Sequence, residues 1–215
     1  MGINGETIEK TGRSKPLPPK GVRPRRRFRQ PFSRCTSSRI GRHCGGEYMT
    51  NIRRHFEPGQ ICFLTHVTFN REPLLITHFD LLWQAIETYR LDCGFDLVAW
   101  VVLPNHMHLL IAPNDNDVSL LMSRIKLSFS AQVRRKLGLP DGRVWQYRFW
   151  DRIMRDQNDT NTHIDYIHYN PVKHECVTDP FAWTYSSLAE YHARGLYARD
   201  WGVKETLEFE GEFGE

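Results

Sequence analysis

The sequence predicts an α+β domain of the ferredoxin-like or RNA-recognition-like class: a βαββαβ antiparallel sheet with helices on one face, followed by C-terminal helices. Three observations predict it. Four β-branched or aromatic runs alternate with two runs of helical period in that order. A Pro104-Asn105 turn joins the second and third runs and makes them an antiparallel hairpin. Hydrophobic residues make up 40% of the 215, enough to bury one substantial core. In such a sheet the second face is expected to stay open, as a platform for a polynucleotide.

The elements follow in order. Residues 61–69 (ICFLTHVTF) read as a strand. Thr77 is placed to cap a helix over 79–89, with Leu81, Leu82, Ala85 and Ile86 at helical spacing, and Cys93-Gly94 ends it. Residues 95–103 (FDLVAWVVL) read as a buried strand and 106–112 (HMHLLIA) as its hairpin partner. The 114–117 turn leads into a helix over 118–137, with Leu121, Ile125, Phe129 and Val133 on one face. Gly138 and Pro140-Asp141-Gly142 stop it. Residues 144–154 (VWQYRFWDRIM) form the expected fourth strand. A third helix starts at Asp159 or Thr160 and runs to about Asn170, where Pro171 breaks or kinks it. A shorter helix is expected over 183–194, and 200–215, with six acids against one lysine, reads as a solvated tail.

Charge divides the chain. Residues 1–54 carry 14 Lys/Arg against 3 Asp/Glu, whereas residues 55–215 carry 15 against 22. The first 50 residues are rich in Pro, Arg, Gly and Ser, lack any period, and read as a disordered extension to a domain over 51–200 with an acidic tail over 201–215. Two readings are open for that extension. It is a basic arm with non-specific nucleic-acid affinity, or it lies upstream of the true start. In the second, codons for Gly45-Gly46-Glu47 supply a ribosome-binding sequence and translation begins at Met49. No run approaches about 18 apolar residues, which excludes a helical membrane span, and no apolar stretch follows the N-terminal charges as a secretory signal requires. The five cysteines include no CxxC pair, so neither a disulfide framework nor a cysteine zinc site is expected. The expected setting is the cytoplasm.

Three features carry chemistry. His106 and His108 share one face of their strand, with Met107 on the other, and make half of a metal site or a pair of phosphate donors; an incidental HxH is the alternative. On the third helix, at about 100° per residue, Tyr166 lies roughly 200° from Ile164, away from the apolar arc and among Asn170, His163 and Lys173. Tyr169 is the rival tyrosine, and His168 reads as packed. On the fourth strand Trp145, Tyr147 and Phe149 alternate as core, leaving Arg148, Trp150 and Arg152 as a basic-aromatic strip suited to bases and phosphates. Residues 124–155 hold nine Lys/Arg against Asp141 and Asp151, and Arg134, Arg135 and Lys136 cluster at the end of the second helix. A solvated helix end is the alternative for that cluster.

Taken together, 99–110 (AWVVLPNHMHLL), 144–156 (VWQYRFWDRIMRD) and 163–174 (HIDYIHYNPVKH) resemble the signature blocks of the REP-associated tyrosine transposases, bacterial relatives of the single-tyrosine HUH transposases. The resemblance spans about 51–200 and leaves out both charged ends. It implies a nuclease and strand transferase for single-stranded DNA hairpins of repetitive extragenic palindromes. His106 and His108 would bind Mg²⁺ or Mn²⁺, Tyr166 would be the nucleophile, and Asn170, one turn later, the third ligand, with His163 as its alternative. Arg134, Arg135, Lys136, Arg148, Trp150 and Arg152 would contact DNA. A nucleoid-associated protein, monomeric or homodimeric, is expected. Two other readings stand beside it. One is a non-catalytic module binding DNA or RNA hairpins on its sheet. The other is a histidine-dependent nucleotide hydrolase, against which Leu110 occupies the position of the further histidine that class needs.

Overall fold

The computed structural model describes residues 59–114, 117–204, 206–209 and 211–214. The N-terminal extension, including Met49, lies outside the described residues. Four strands, β1 (Cys62–Val67), β2 (Phe95–Val102), β3 (His106–Pro113) and β4 (Trp150–Ile153), form one antiparallel sheet in the order β2-β3-β1-β4. The helices are α1 (Leu74–Thr77), α2 (Phe79–Cys93), α3 (Val118–Leu137), α4 (Gln157–Lys173) and α5 (Leu188–Ala193). This is the expected ferredoxin-like arrangement. Among the described residues, no helix is long and apolar enough to cross a membrane.

Alternation along the strands divides the core into two layers. Cys62, Leu64, Trp100, Val102, Met107, Leu109 and Ile111 face α2 and α3, where Leu82, Ala85, Ile86, Leu121, Ile125, Phe129 and Val133 meet them. Phe63, Val101, Leu103 and Leu110 face the other way. A register shift between Leu97 and Ala99 turns both Val98 and Ala99 toward that second side. Asp117 accepts from Leu120 N (2.7 Å) to open α3, and Gly138, at φ 66°, closes it in the left-handed conformation a glycine adopts without Cβ strain.

The second face is not open. Ile164, Tyr166 and Ile167 of α4, Leu188 and Tyr191 of α5, Tyr197 and Phe213 all pack on it. Each large apolar side chain buried there contributes roughly 1.5–3 kcal/mol, which outweighs keeping an apolar sheet face wet. The helix expected over 183–194 is shorter for a related reason. Tyr185 O accepts from Val102 N (2.9 Å), and Trp100 O from Ser187 N (3.0 Å), so this segment satisfies the outer edge of β2 before α5 begins.

The fourth strand also departs from expectation. Trp145 forms an isolated bridge with Thr68, and the ladder resumes only at Trp150. The residues between leave the sheet, so alternation fails there. Trp145 is buried, but Tyr147, expected in the core, is 78% exposed. Helix α4 starts earlier than expected, because the Asp156 side chain accepts from Asp159 N (2.8 Å), and it continues through Pro171 to Lys173. The acidic C-terminal segment is not solvated throughout: Phe213 is buried against α4.

Candidate active site

The site lies where β1, β3 and α4 meet on the second face. His106 and His108 project from β3 on that face, and both are buried. Their ring centroids are 5.2 Å apart. Hydrogen bonds assign their tautomers. His106 Nδ1 donates to Asn105 Oδ1 (2.7 Å). The Thr65 hydroxyl donates its one proton to the Phe213 carbonyl (2.6 Å), so it accepts from His108 Nδ1 (2.9 Å). Nδ1 is thus committed in both rings, and Nε2 is the nitrogen through which each would bind a metal ion, the ring being oriented through its other nitrogen. Two imidazoles on one strand face fit half of a divalent-cation site. Among the described residues no group of three His, Cys, Asp or Glu is spaced to complete it. An amide oxygen, water or a phosphate oxygen suits Mg²⁺ or Mn²⁺ for the rest. Asn170, one turn after Tyr166 on α4, is fully buried.

Tyr166 stands beside this pair. Its ring is 5.5 Å from that of His108, edge to face. Lys173, seven residues on and so on the same side of α4, donates from Nζ to the phenol oxygen (3.1 Å) and lies 4.8 Å from the ring centroid. The helical wheel placed Tyr166 among polar groups away from the apolar arc, and Lys173 and His108 are such neighbours. It did not predict burial: Tyr166 is 1% exposed. Phe213 stacks on its ring at 3.7 Å and 10°, and Phe209 meets it edge-on at 5.5 Å. The rival, Tyr169, packs instead against Trp201 and Phe209. His168 is the packed histidine expected, held by the Ser187 hydroxyl (2.8 Å) and Tyr197 (3.2 Å).

His163 donates from Nδ1 to the Asp159 carbonyl (2.8 Å), one turn back in α4. Burial is the main influence on this ring and holds its pKa below the ordinary 6.5, so it is neutral at physiological pH. Asp159 anchors the start of α4. Burial pushes its carboxyl up, but bonds from Arg155 N (3.1 Å) and Nε (3.2 Å), with the Arg152 charge, outweigh that and hold it below 3.8. A depressed folded-state pKa adds stability that is present above the unfolded value and lost as pH falls through the folded one. Asp159→Asn is therefore expected to lower Tm at pH 7 and to flatten the fall in Tm below about pH 4. Thermal melts across that range check it, and an unchanged acid limb refutes it.

The residues expected on DNA are scattered. Arg134, Arg135 and Lys136 occupy the last turn of α3, where they also complement the helix dipole. Arg148 is exposed in the segment that leaves the sheet. Trp150 is half-buried, 5.8 Å from Phe63 and close against Gly214, and Arg152 donates to Asp159 (3.3 Å). Trp150 and Arg152 thus share the covered face with Tyr166, while the α3 cluster does not.

Four partners of the site escaped sequence reasoning. Thr65 had a signal, since it alternates with Phe63 on β1. His174, whose ring is 4.7 Å from His106, follows Lys173 beyond the end of α4. Phe209 and Phe213 were visible only as two aromatics in an acidic segment.

Residues 63–170 match the family model described as "Transposase IS200 like". A REP-associated tyrosine transposase of Escherichia coli (strain K12) is 37% identical over 156 residues, covering 71% of this chain and 91% of that protein. A solved structure of a REP-associated tyrosine transposase bound to a REP hairpin is similar at a TM-score of 0.66 and 36% identity, covering 78% of this chain and 98% of the other. The family model reaches from β1 through β3 to Asn170 of α4, and the chain belongs to the REP-associated tyrosine transposases of the IS200-like transposase family.

Proposed function

We propose that this protein is a metal-dependent endonuclease and strand transferase for single-stranded DNA, acting on REP-type hairpins through a 5′-phosphotyrosine intermediate on Tyr166. The observation that carries the reading is the Tyr166 ring edge-on to His108, with His106 next to His108 and a lysine ammonium on the phenol oxygen. The relative solved with a REP hairpin supports the substrate class.

Tyr166 Oη attacks the scissile phosphorus. The new O–P bond forms as the P–O3′ bond breaks, leaving a 5′-phosphotyrosine and a 3′-OH. The phosphodiester-level bond is kept, so a 3′-OH can later displace the tyrosine and join strands without ATP. Lys173 Nζ stabilises negative charge on Oη as its proton departs. His106 and His108, with Asn170 as third ligand, would hold a divalent cation, which supplies Lewis-acid stabilisation of the phosphate charge. Asn105 and Thr65 fix the two tautomers. Arg134, Arg135, Lys136 and Arg148 supply phosphate contacts, and Trp150 and Arg152 lie close enough to Tyr166 to meet the strand there.

Phe213 and Phe209 cover the phenol. In this reading the C-terminal segment must withdraw before a phosphate reaches Oη, so the described state is the closed form of the enzyme.

His106→Ala and His108→Ala are each expected to abolish Mn²⁺ binding by calorimetry and to lower adduct yield at least about 100-fold. Hairpin affinity in EDTA should stay within about twofold. Retained Mn²⁺ binding in both variants refutes the metal assignment.

A further inference from the structure

A groove of about 490 Å³ runs between α3 and the segment that leaves the sheet, on the α3 side and therefore on the opposite face from Tyr166. Its volume lies within the range of small-ligand sites. Three cations line it, Lys126, Arg134 and Arg143. None has a carboxylate partner among the described residues. Lys126 Nζ donates to the Gln146 carbonyl (3.2 Å), Arg134 to the Gly142 carbonyl (2.8 Å), and Arg143 lies 5.0 Å from the Phe69 ring. Burial without a counter-charge pushes the Lys126 pKa down to about 8. The other walls mix apolar side chains, Met122 and Leu127 from α3 and Tyr147 opposite, with the hydroxyls of Ser119, Ser123 and Ser130. Leu127 is 64% and Tyr147 78% exposed, large for side chains of this kind on a folded surface. Trp145, which lines the groove, is 5% exposed, and its indole N–H is buried without an acceptor among the described residues. An unmet buried donor is uncommon in a folded protein.

We propose that this groove binds one unpaired nucleotide of the DNA substrate, its base against Tyr147 and Leu127 and its phosphate on Lys126 and Arg143. A cluster of cations without acids favours a polyanion, and an exposed aromatic favours a base freed from pairing, because stacking needs an open π-face. A paired stem offers the phosphates but not the face, so the occupant is single-stranded DNA flanking the hairpin. The position suits such a strand. Trp145 pairs with Thr68, and Val67 of β1 pairs with His106, so the backbones beneath groove and histidines share one end of the sheet, about two strand spacings or roughly 10 Å apart in its plane, and a strand passes from one face to the other around the β4 edge. The groove would thus set which flanking nucleotide precedes the one presented to Tyr166.

The inference rests on the proposed action on DNA hairpins, and the test separates the two. Fluorescence anisotropy compares a REP-type hairpin bearing a five-nucleotide single-stranded extension with the same hairpin blunt, over a range of salt. For Lys126→Gln with Arg143→Gln, affinity for the extended hairpin should fall at least about 10-fold and its log–log salt slope should shallow by about 0.7, one single-strand phosphate's worth. Tyr147→Ala, at an exposed position, should weaken the extended hairpin about 10-fold without changing the slope. Blunt-hairpin affinity should stay within about twofold in all variants, which also shows that they are folded. Equal losses on both DNAs, or no loss on the extended one, overturn the groove assignment and leave the parent reading standing. Failure of the unaltered protein to bind either DNA overturns both.

Discussion

Replacing Tyr166 with Phe is expected to eliminate the covalent protein–DNA adduct, lowering its rate by at least about 1,000-fold, while hairpin affinity stays within about twofold. The substitution removes one oxygen from a ring that is packed by Phe213 on its face and by Phe63 and Phe209 at their edges, so the fold has no reason to change. It also removes the acceptor for Lys173 Nζ. An end-labelled hairpin incubated with Mg²⁺ or Mn²⁺ and run on a denaturing gel gives the measurement. A labelled band that survives Tyr166→Phe but not Tyr169→Phe would transfer the nucleophile to Tyr169. Absence of any band from the unaltered protein, with binding intact, would favour the non-catalytic hairpin-binding reading, provided that the opened form described next is also silent.

Removing residues 209–215 is expected to raise the adduct rate about 10- to 100-fold. Phe213 is 6% exposed, stacked on Tyr166, and its backbone carbonyl takes the Thr65 hydroxyl proton. Displacing one buried aromatic of this size costs about 1.5–3 kcal/mol, which keeps the open form at roughly 1–10% of molecules. Truncation makes that form the only one. Phe213→Ala should give part of the gain. Both changes should lower Tm, because Phe63, His163 and Tyr166 lose a neighbour. A rate that falls with truncation, in protein that still binds the hairpin, would mean that the segment completes the site rather than closing it.

Much of this site was legible in the chain. His106 and His108 point the same way because side chains alternate on any strand, whatever packs around it. Tyr166 and Lys173 share a side of α4 because seven residues make nearly two turns. Asp117, Gly138 and the 118–137 run defined α3 to the residue. The fourth strand was less legible. Alternation from Trp145 to Arg152 is unbroken in sequence, but the ladder is broken in space, and this puts Tyr147 in the groove instead of the core. Arg152 read as a free phosphate contact until Asp159, seven residues away, was found beside it.

Local pattern by itself determined the order of elements, the parity of the histidines, the shared side of Tyr166 and Lys173 on α4 and the position of the cationic helix end. Each depends on a period of two or 3.6 residues that short-range sterics impose. Only the tertiary structure decided what covers each face. The acidic C-terminal segment carries no period, and its charge argues for water. Yet Phe209 and Phe213 find an aromatic surface made by Phe63, His163 and Tyr166, residues that are far away in the sequence, and burying them there outweighs exposing them. The same long-range burial brought α4 onto the second face, closed the expected nucleic-acid platform, and left Lys126, Arg134, Arg143 and the exposed Tyr147 on the other side of the sheet.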